Sequence, residues 1–278
     1  MKQKIVIVGL GLIGGSLAKA FRRYTDCTVL GMDRDGNVLK AATEAEAIHR
    51  TAGTDDLRSA DVVFLCLYPE ACVRFAEEHR ADFRPGGLVT DTCGIKSWLC
   101  PRMKQLADEN DFFFVGSHPM AGKEKNGFAH SDAALFLGAS YILVPYGAPE
   151  SETEKLKMLV SKLGFSRTVE TTPEEHDHII AFTSQLPHVL ACAYVMSPQC
   201  PKHKGFSAGS YRDVSRVANI NEAMWTELFL ENREALTEEL DTLTGHIAEI
   251  RNAVNSGDAE TLRGLLRRGR LVKEGLDE

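Results

Sequence analysis

The pattern of apolar residues changes near residue 170 and divides the chain into two parts. In the first part, short runs of β-branched and other apolar residues alternate with helix-like stretches of roughly ten to fifteen residues. The runs IVIV at 5–8 and VVFLCL at 62–67 are apolar at every position, as is typical of strands buried on both faces. This alternation predicts a parallel sheet that is covered by helices on both sides.

Individual elements of this sheet can be placed from the same pattern. The predicted strands cover residues 4–8, 28–32, 62–67, 88–90, 112–115 and 141–144, and predicted helices cover 13–23, 69–79 and 152–163. The fold class predicted for residues 1–170 is therefore α/β, with a Rossmann-type doubly wound parallel sheet that binds a dinucleotide.

Residues 171–278 lack a convincing strand and are predicted to form an all-helical C-terminal domain, with helices over 174–197, 221–254 and 258–273. The middle helix would reach about 50 Å. Apolar residues recur along it every three, four or seven residues, as in a coiled coil, and predict a continuous apolar stripe that packs against another helix. This stripe is called the packing seam. Its residues are Trp225, Phe229, Leu236, Leu240, Leu243, Ile247, Ile250 and Val254. The seam either lies on its own domain or builds a dimer interface, and its length favours a homodimer through these C-terminal helices.

The composition is that of a globular protein, with 44% hydrophobic and 26% charged residues. A net charge of −7 argues against a nucleic-acid-binding protein, which needs a basic surface. No apolar stretch approaches the roughly 18 residues that span a bilayer, so no membrane partner is expected. The seven cysteines form no CxxC pair, which fits free thiols in a reducing cytoplasm better than a disulfide or zinc framework.

The segment His176-Asp177-His178 resembles a metal-binding cluster. On a helix, however, residues two apart point in different directions, unlike the histidines of an HExxH motif. No metal site is therefore expected.

A glycine-rich turn follows the first predicted strand and opens the first helix. Gly9, Gly11 and Gly14 have the spacing that a dinucleotide-binding turn requires, for a tight bend, for close approach to the pyrophosphate and for packing of helix on strand. The backbone N–H groups at the helix start, at Leu12 and Ile13, would hold the phosphates. The alternative is that the glycines only make a tight turn.

Asp33 is the acidic residue expected at the end of the second strand of such a fold, 19 positions after Gly14. A carboxylate there binds both ribose hydroxyls and repels a 2′-phosphate, which predicts NAD as the cofactor rather than NADP. Arg34 follows directly and leaves some tolerance for NADP. The alternative is that Asp33 is an ordinary surface carboxylate.

The best candidate for a catalytic residue is His118, which follows the fifth predicted strand. Ligands of a doubly wound sheet lie beyond the carboxyl ends of its strands, and Pro119 holds the backbone of His118 away from the helical region. A histidine can accept a proton from an alcohol as hydride leaves the same carbon. The alternative is a histidine that only caps a loop.

Nearly the whole chain resembles the prephenate and arogenate (cyclohexadienyl) dehydrogenases of tyrosine biosynthesis. The resemblance is carried by ordered motifs in both halves: GLGLIGGS at 9–16, DTCGIK at 91–96, HPMAGKEKNG at 118–127 with LF at 135–136, EEHD at 174–177, SQLPH at 184–188, YRDVSRVA at 211–218 and MWTELFLEN at 224–232. Together these motifs are far more specific than any one of them.

The resemblance implies roles for three residues. His118 matches the catalytic histidine that accepts the proton of the ring hydroxyl. His188 matches a second histidine that binds and orients substrate, although from its apolar surroundings alone it would be a core histidine. Arg216 matches the arginine that grips a substrate carboxylate through its bidentate fork, although by itself it would be a surface ion-pair partner.

The activity implied by the resemblance is NAD-dependent oxidative decarboxylation of prephenate to 4-hydroxyphenylpyruvate. The main alternative is an arogenate dehydrogenase, which forms tyrosine, and the more distant one is an inactive dinucleotide-binding sensor. A dehydrogenase of the β-hydroxyacid type would need a catalytic lysine on a helix of the second domain, and no matching segment is present.

The chain departs from the family pattern at two positions. Gly94 stands where the family commonly has a serine that helps to position the catalytic histidine, so that Cys93, Thr92 or a water would have to replace it. Gln185 stands where the family often has a further histidine, and a glutamine cannot titrate near neutral pH.

Overall fold

Eight strands form one sheet in the order β3-β2-β1-β4-β5-β6-β7-β8, in a computed structural model that describes residues 2–276. The strands are β1 (Lys4–Val8), β2 (Thr28–Met32), β3 (Arg50–Thr51), β4 (Val62–Leu65), β5 (Leu88–Asp91), β6 (Phe113–Pro119), β7 (Ser140–Val144) and β8 (Arg167–Glu170). All neighbours pair in parallel except β6 and β7, which are antiparallel. The predicted α/β sheet is confirmed.

The helices of the sheet-forming part are α1 (Leu12–Tyr24), α2 (Gly36–Glu44), α3 (Thr54–Leu57), α4 (Pro69–Glu78), α5 (Leu99–Glu109) and α6 (Glu150–Ser161). The predicted helices over 13–23, 69–79 and 152–163 correspond to α1, α4 and α6. Because β2 lies on one side of β1 and β4 on the other, the strand order reverses at β1. The loops after β1 and β4 therefore open a crevice at the carboxyl edge of the sheet.

Three features of the sheet differ from the prediction. Strands β3 and β8 were not predicted because they are short, lie at the sheet edges and contain mostly exposed polar residues. Strand β6 continues beyond the predicted end at residue 115 to Pro119. Its last four residues pair with β7, with Gly116 opposite Val144, although glycine and proline are poor indicators of a strand.

The second part of the chain is helical, as predicted, with α7 (Pro173–Ile180), a π-helical segment (Ala181–Gln185), α8 (Leu186–Val195), α9 (Gly209–Ser215), α10 (Glu222–Glu231), α11 (Arg233–Ser256) and α12 (Ala259–Leu276). The chain packs as two compact units that divide between Asn232 and Arg233. Helices α11 and α12 form the second unit, where Arg268 pairs with Glu249 at 3.0 Å. The domain boundary at residue 170 stays a prediction.

The prediction of one continuous helix over 221–254 is wrong. Helix α10 ends at Glu231, and Asn232 has φ −110° and ψ 30°, outside the helical region. The side-chain amide of Asn232 donates to the carbonyl oxygen of Asp177 at 2.9 Å and to Oε1 of Gln185 at 2.8 Å. These buried hydrogen bonds fix Asn232 where the helix breaks, and apolar spacing along the chain cannot reveal them.

The prediction of one regular helix over 174–197 also needs correction. The N–H group of Leu186 donates to the carbonyl oxygen of Ala181, five residues earlier, so the helix widens into a π turn. The next residue, Pro187, has no N–H group to continue the regular pattern at this point. Among residues 2–276, no helix is both long and apolar enough to cross a membrane.

A buried ion pair organises the loop between β5 and α5. Asp91 and Lys96 are both fully buried, and the Lys96 ammonium donates to Oδ2 of Asp91 and to the carbonyl oxygen of Cys93. The same carboxylate accepts the N–H groups of Cys93 at 2.7 Å and Ser117 at 2.9 Å. The loop is therefore folded around a pair of opposite charges that is buried from solvent.

Replacing Lys96 by methionine should destabilise the protein by about 3–5 kcal/mol, because the Asp91 carboxylate would remain buried without its cation. Urea unfolding followed by circular dichroism measures this change. Lys104→Met is the matched control, since Lys104 pairs with Asp108 on the exposed face of α5 and such pairs contribute about 1 kcal/mol or less. Equal losses in the two variants would contradict the prediction.

Candidate active site

The turn after β1 can be made only by glycines. Gly9 has φ +86°, a conformation that side-chain-bearing residues rarely adopt. A Cβ on Gly14 would lie 1.9 Å from the carbonyl oxygen of Gly9, so any side chain at residue 14 would collide with the turn. The helix α1 therefore starts directly against the end of β1.

The start of α1 faces open space. A Cβ on Gly11, the residue that caps this helix, would meet no atom within 4 Å. The N–H groups of Leu12 and Ile13 lie in the first turn of the helix, where no earlier carbonyl is available to accept them. These features fit a pyrophosphate, which would be held by backbone N–H groups at the positive end of the helix.

The carboxylate of Asp33 is held in place by two backbone groups. Oδ2 accepts the N–H of Leu10 at 2.7 Å, and Oδ1 accepts the N–H of Asp35 at 2.9 Å. This fixes the carboxylate beside the glycine turn, one residue beyond β2. The position fits the binding of ribose hydroxyls by its remaining lone pairs.

One cleft of about 640 Å³ brings most of the predicted site residues together. Its lining includes Gly11, Leu12, Ile13, His118, His188 and Arg216. Gly9, Gly14 and Asp33 do not line it. The nucleotide-binding turn and the three residues singled out by the resemblance therefore share one cavity.

His118 lies within strand β6 and not in a loop after it, which corrects the predicted position. Its backbone pairs with Ile142 of β7, and its half-buried imidazole faces the cleft. Burial lowers the pKa of His118 well below its usual value, and the neighbouring His176 and Lys96 lower it further. The ring is therefore neutral at pH 7, as a proton acceptor must be.

His176 and Asp177, which the sequence does not place in the site, form a chain of hydrogen bonds that starts at His118. Nδ1 of His118 lies 3.0 Å from Nε2 of His176, and Nδ1 of His176 lies 2.6 Å from Oδ1 of Asp177. Both residues are on α7 and only 2% of the surface of each is exposed. A signal was available, because His176 is four residues before the buried Ile180 and so lies on the apolar face of the helix.

The two histidines of the segment 176–178 make separate hydrogen bonds, and that of His176 leads to Asp177. His178 bonds instead to the carbonyl oxygen of Glu174 at 2.9 Å. In the part of the chain from residue 2 to residue 276, no group of histidine, cysteine, aspartate and glutamate side chains is arranged to hold a metal ion.

His188 lies on α8 and reaches the cleft, so it is not an enclosed core histidine. Its Nδ1 lies 2.7 Å from the carbonyl oxygen of Ser184 in the π-helical segment. A carbonyl oxygen only accepts, so Nδ1 carries a hydrogen and Nε2 is available to a ligand. The ring stacks on Trp225 with centroids 3.8 Å apart, and burial lowers its pKa.

Arg216 directly follows α9, and 60% of its side chain is exposed. Its guanidinium donates to the carboxylate of Glu124, in the loop that follows β6. Both residues line the cleft. The ion pair places one cation and one anion together at the cavity that also contains His118.

The side chain of Cys93 does not occupy the space that a serine at position 94 would fill. The Cys93 thiol is engaged elsewhere, since it lies 3.5 Å from the carbonyl oxygen of Leu67 and 3.6 Å from Sγ of Cys72. A Cβ on Gly94 would lie 3.8 Å from Cε1 of His118, at ordinary contact distance. Cys93 therefore does not replace the serine that the family commonly has here.

The side-chain amide of Gln185 makes two hydrogen bonds within the helical part of the chain. Its amide donates to the carbonyl oxygen of Leu228 at 3.1 Å and accepts from Asn232 at 2.8 Å. Only 1% of its surface is exposed. The glutamine therefore joins the π-helical segment to α10, through its amide nitrogen, and to Asn232 directly after α10, through its amide oxygen.

Comparison with known proteins gives two family models that together cover most of the chain. Residues 17–167 match the nucleotide-binding domain of prephenate dehydrogenase, and residues 172–268 match its dimerization domain. The prephenate dehydrogenase of Bacillus subtilis is 31% identical over 286 residues, which cover 99% of this chain and 76% of that protein.

Two solved structures are similar over nearly their whole length. The arogenate dehydrogenase of Synechocystis has a TM-score of 0.82 and 25% identity, covering 99% of this chain and 100% of its own. The prephenate dehydrogenase of Aquifex aeolicus, in complex with hydroxyphenyl propionate and NAD+, has a TM-score of 0.85 and 25% identity, covering 99% of both chains.

Alanine substitutions at Gly14 and Gly11 should separate folding from nucleotide binding. Gly14→Ala places a Cβ against the carbonyl oxygen of Gly9 and should lower the unfolding temperature by several degrees. Gly11→Ala meets no protein atom, so the unfolding temperature should stay within a degree or two while affinity for the dinucleotide falls about tenfold or more. Thermal unfolding and calorimetric titration with NAD measure the two effects. Unchanged affinity in Gly11→Ala would show that the phosphates bind elsewhere.

Proposed function

The chain belongs to the prephenate dehydrogenase family, and we propose that it catalyses the NAD-dependent oxidative decarboxylation of prephenate to 4-hydroxyphenylpyruvate. The observation that supports this most directly is the shared cleft, in which a neutral histidine lies in the same cavity as the nucleotide-binding helix start. A proton acceptor and a dinucleotide site within one cavity are what the oxidation of an alcohol requires.

The cofactor is NAD, which supplies the hydride acceptor when it is bound. Gly9, Gly11 and Gly14, with the N–H groups of Leu12 and Ile13, would hold its pyrophosphate. Asp33 would accept the ribose hydroxyls, and its negative charge disfavours the 2′-phosphate of NADP.

His118 accepts the proton of the ring hydroxyl as hydride leaves the carbon that bears it. Nδ1 of His118 is engaged by His176, so the nitrogen left for the substrate is Nε2. Loss of carbon dioxide then makes the ring aromatic, and this makes the overall reaction effectively irreversible. The protein therefore has to stabilise charge at the hydroxyl and hold the carboxylates of the substrate.

Arg216 and His188 bind and orient the substrate. The Arg216 guanidinium holds the pyruvyl carboxylate through its planar fork, which requires that carboxylate to displace Glu124 from the ion pair. The His188 ring is held by its hydrogen bond to the carbonyl oxygen of Ser184 and by stacking on Trp225, so its Nε2 has a fixed direction.

Arogenate is the second candidate substrate, and Glu124 is the observation that favours it. Arogenate carries an ammonium group where prephenate carries a keto group. A carboxylate beside Arg216 could accept that ammonium while the arginine binds the neighbouring carboxylate. The similarity to the arogenate dehydrogenase of Synechocystis agrees with this alternative.

We further propose that the chain acts as a homodimer through its C-terminal helices, in the cytoplasm. Helices α11 and α12 expose several large apolar side chains in the single chain, and residues 172–268 match a dimerization domain. These side chains are Ile247, Ile250, Val254, Leu266, Leu271 and Val272. The reducing cytoplasm suits a chain with seven cysteines and no CxxC pair.

His118→Asn should lower kcat by about 10²–10⁴-fold, because asparagine cannot accept the hydroxyl proton. NADH formation at 340 nm, with prephenate and with arogenate, measures this loss. His130→Asn is the matched control, since His130 is exposed and does not line the cleft. Failure of the wild-type protein to oxidise either substrate, with NADP also tried, would refute the proposal and favour a dinucleotide-binding sensor.

Glu124→Gln should change the choice of substrate. Loss of the carboxylate should raise KM for arogenate by about tenfold or more, since a hydrogen bond to a charged group contributes about 1.5–3 kcal/mol. KM for prephenate should stay the same or fall, because Arg216 would be released from its intramolecular partner. An equal change for both substrates would contradict a role for Glu124 in selecting the ammonium group.

A further inference from the structure

The carboxylate of Asp177 is fixed by the loop that follows β5. Oδ1 accepts the N–H of Lys96 at 2.8 Å, and Oδ2 accepts the N–H of Ser97 at 2.7 Å. Burial alone would raise the pKa of Asp177, but the hydrogen bond from His176 and the hydrogen bonds from Ser97 bring it below its usual value. Asp177 is therefore an anion that cannot turn, and an ionised carboxylate only accepts hydrogen bonds.

This anion determines which nitrogen of His176 carries the hydrogen. Nδ1 of His176 lies 2.6 Å from Oδ1 of Asp177, so it must donate. Burial lowers the pKa of His176 despite the neighbouring carboxylate, and a neutral imidazole has one N–H. Nε2 of His176 therefore carries a lone pair.

The same reasoning extends one step further to His118. Nδ1 of His118 lies 3.0 Å from that lone pair and must carry a hydrogen to bond with it. Nε2 of His118 is then unprotonated and is the nitrogen left for a substrate. Among residues 2–276, the hydrogen bond that the structure records for this imidazole is the one to His176. Gly94 has no side chain to offer a second one, and the Cys93 thiol bonds to the carbonyl oxygen of Leu67.

We infer that His176 and Asp177 are positioning residues that hold His118 in the tautomer with Nε2 unprotonated, and that Asp177 stabilises the imidazolium that forms when Nε2 takes the hydroxyl proton. The inference rests on the proposed role of His118 as the base. The substrate O–H bond breaks, the proton forms a bond to Nε2, and the positive charge on His118 faces Asp177 through the neutral ring of His176.

The other charges near this series of residues belong to the buried ion pair of Lys96 and Asp91. Lys96 is the nearby buried cation and lowers the pKa of both histidines. Its charge is matched by Asp91 in the buried ion pair. The charge of Asp177 is therefore the one that remains to compensate an imidazolium at His118.

Asp177→Asn should reverse both tautomers. With its oxygen accepting one backbone N–H, the amide nitrogen donates to Nδ1 of His176, whose Nε2–H then donates to Nδ1 of His118. His118 would carry its hydrogen on Nε2 and could not act as a base. We expect kcat to fall by about 10²–10⁴-fold, as when an orienting carboxylate is neutralised in other enzymes. KM and NAD affinity should remain within about twofold.

The pH profile separates this role from simple structural support. A neutral residue 177 no longer favours the imidazolium, so the pKa of His118 falls further. The acid limb of kcat/KM, below which His118 is protonated, should therefore move to lower pH in Asp177→Asn. A reduced kcat with an unchanged acid limb would overturn the inference.

Two variants of His176 provide a matched pair that leaves Asp177 intact. Glutamine can accept from Nδ1–H of His118 through its oxygen and donate to Asp177 through its nitrogen, so His176→Gln should retain kcat within about tenfold. Leucine can do neither, and His176→Leu should lose as much as Asp177→Asn. Equal activity of the two variants would overturn the inference, even if Asp177→Asn does not fold.

The tautomer can also be measured without any substrate. Long-range proton–nitrogen NMR spectra of the full chain, labelled with ¹⁵N-histidine, should show His118 with hydrogen on Nδ1, with assignment by His118→Asn. The hydrogen should move to Nε2 in Asp177→Asn. Hydrogen on Nε2 of His118 in the wild-type protein would overturn the inference. This result holds whether or not prephenate is the substrate, so failure of the proposed function is distinguishable.

Discussion

The carboxylate of Asp91 is buried from solvent at the end of a buried strand, and this charge has to be matched by neighbouring groups. Lys96 supplies the cation, and the N–H groups of Cys93 and Ser117 supply the remaining donors. Satisfying the charge fixes the loop in one conformation, and the backbone N–H groups of residues 96 and 97 then point to Asp177. The direction of His176, and through it that of His118, depends on this buried pair.

The strongest features of the fold could be predicted from the sequence because they are local. Strand β4 is apolar at every position and β1 at every position after Lys4, and the glycine turn lies within six successive residues, from Gly9 to Gly14. The break at Asn232 could not be predicted, because its hydrogen bonds reach Asp177 and Gln185, about fifty residues earlier in the chain. Edge strand β8 was missed because an edge strand needs fewer apolar residues than one in the centre.

The same contrast applies to the site. The position of His118 at the carboxyl edge of the sheet followed from the fold class, whereas the roles of His188 and Arg216 came from the resemblance alone. The sequence places His176 and Asp177 in one of the family motifs but assigns neither of them a role in the site, since their importance depends on a contact with a strand some sixty residues away. The groups assigned to the support of the base, His176 and Asp177, are buried and hydrogen-bonded, while the arginine assigned to recognition is exposed. The binding surface can therefore change without disturbing the base.

The π-helical segment has a consequence for how the length of this part of the chain can vary. Each residue of a helix rotates the next by roughly 100°, and the segment lies between Asp177, which faces the loop after β5, and His188, which faces the cleft. A π turn accommodates one residue more than a regular turn, so removing one residue here and making the turn regular would leave His188 facing nearly the same direction relative to Asp177. An insertion or deletion in the regular part of the helix would instead rotate His188 by about 100°, so the π-helical segment is the place in this helix where the chain length can differ by one residue.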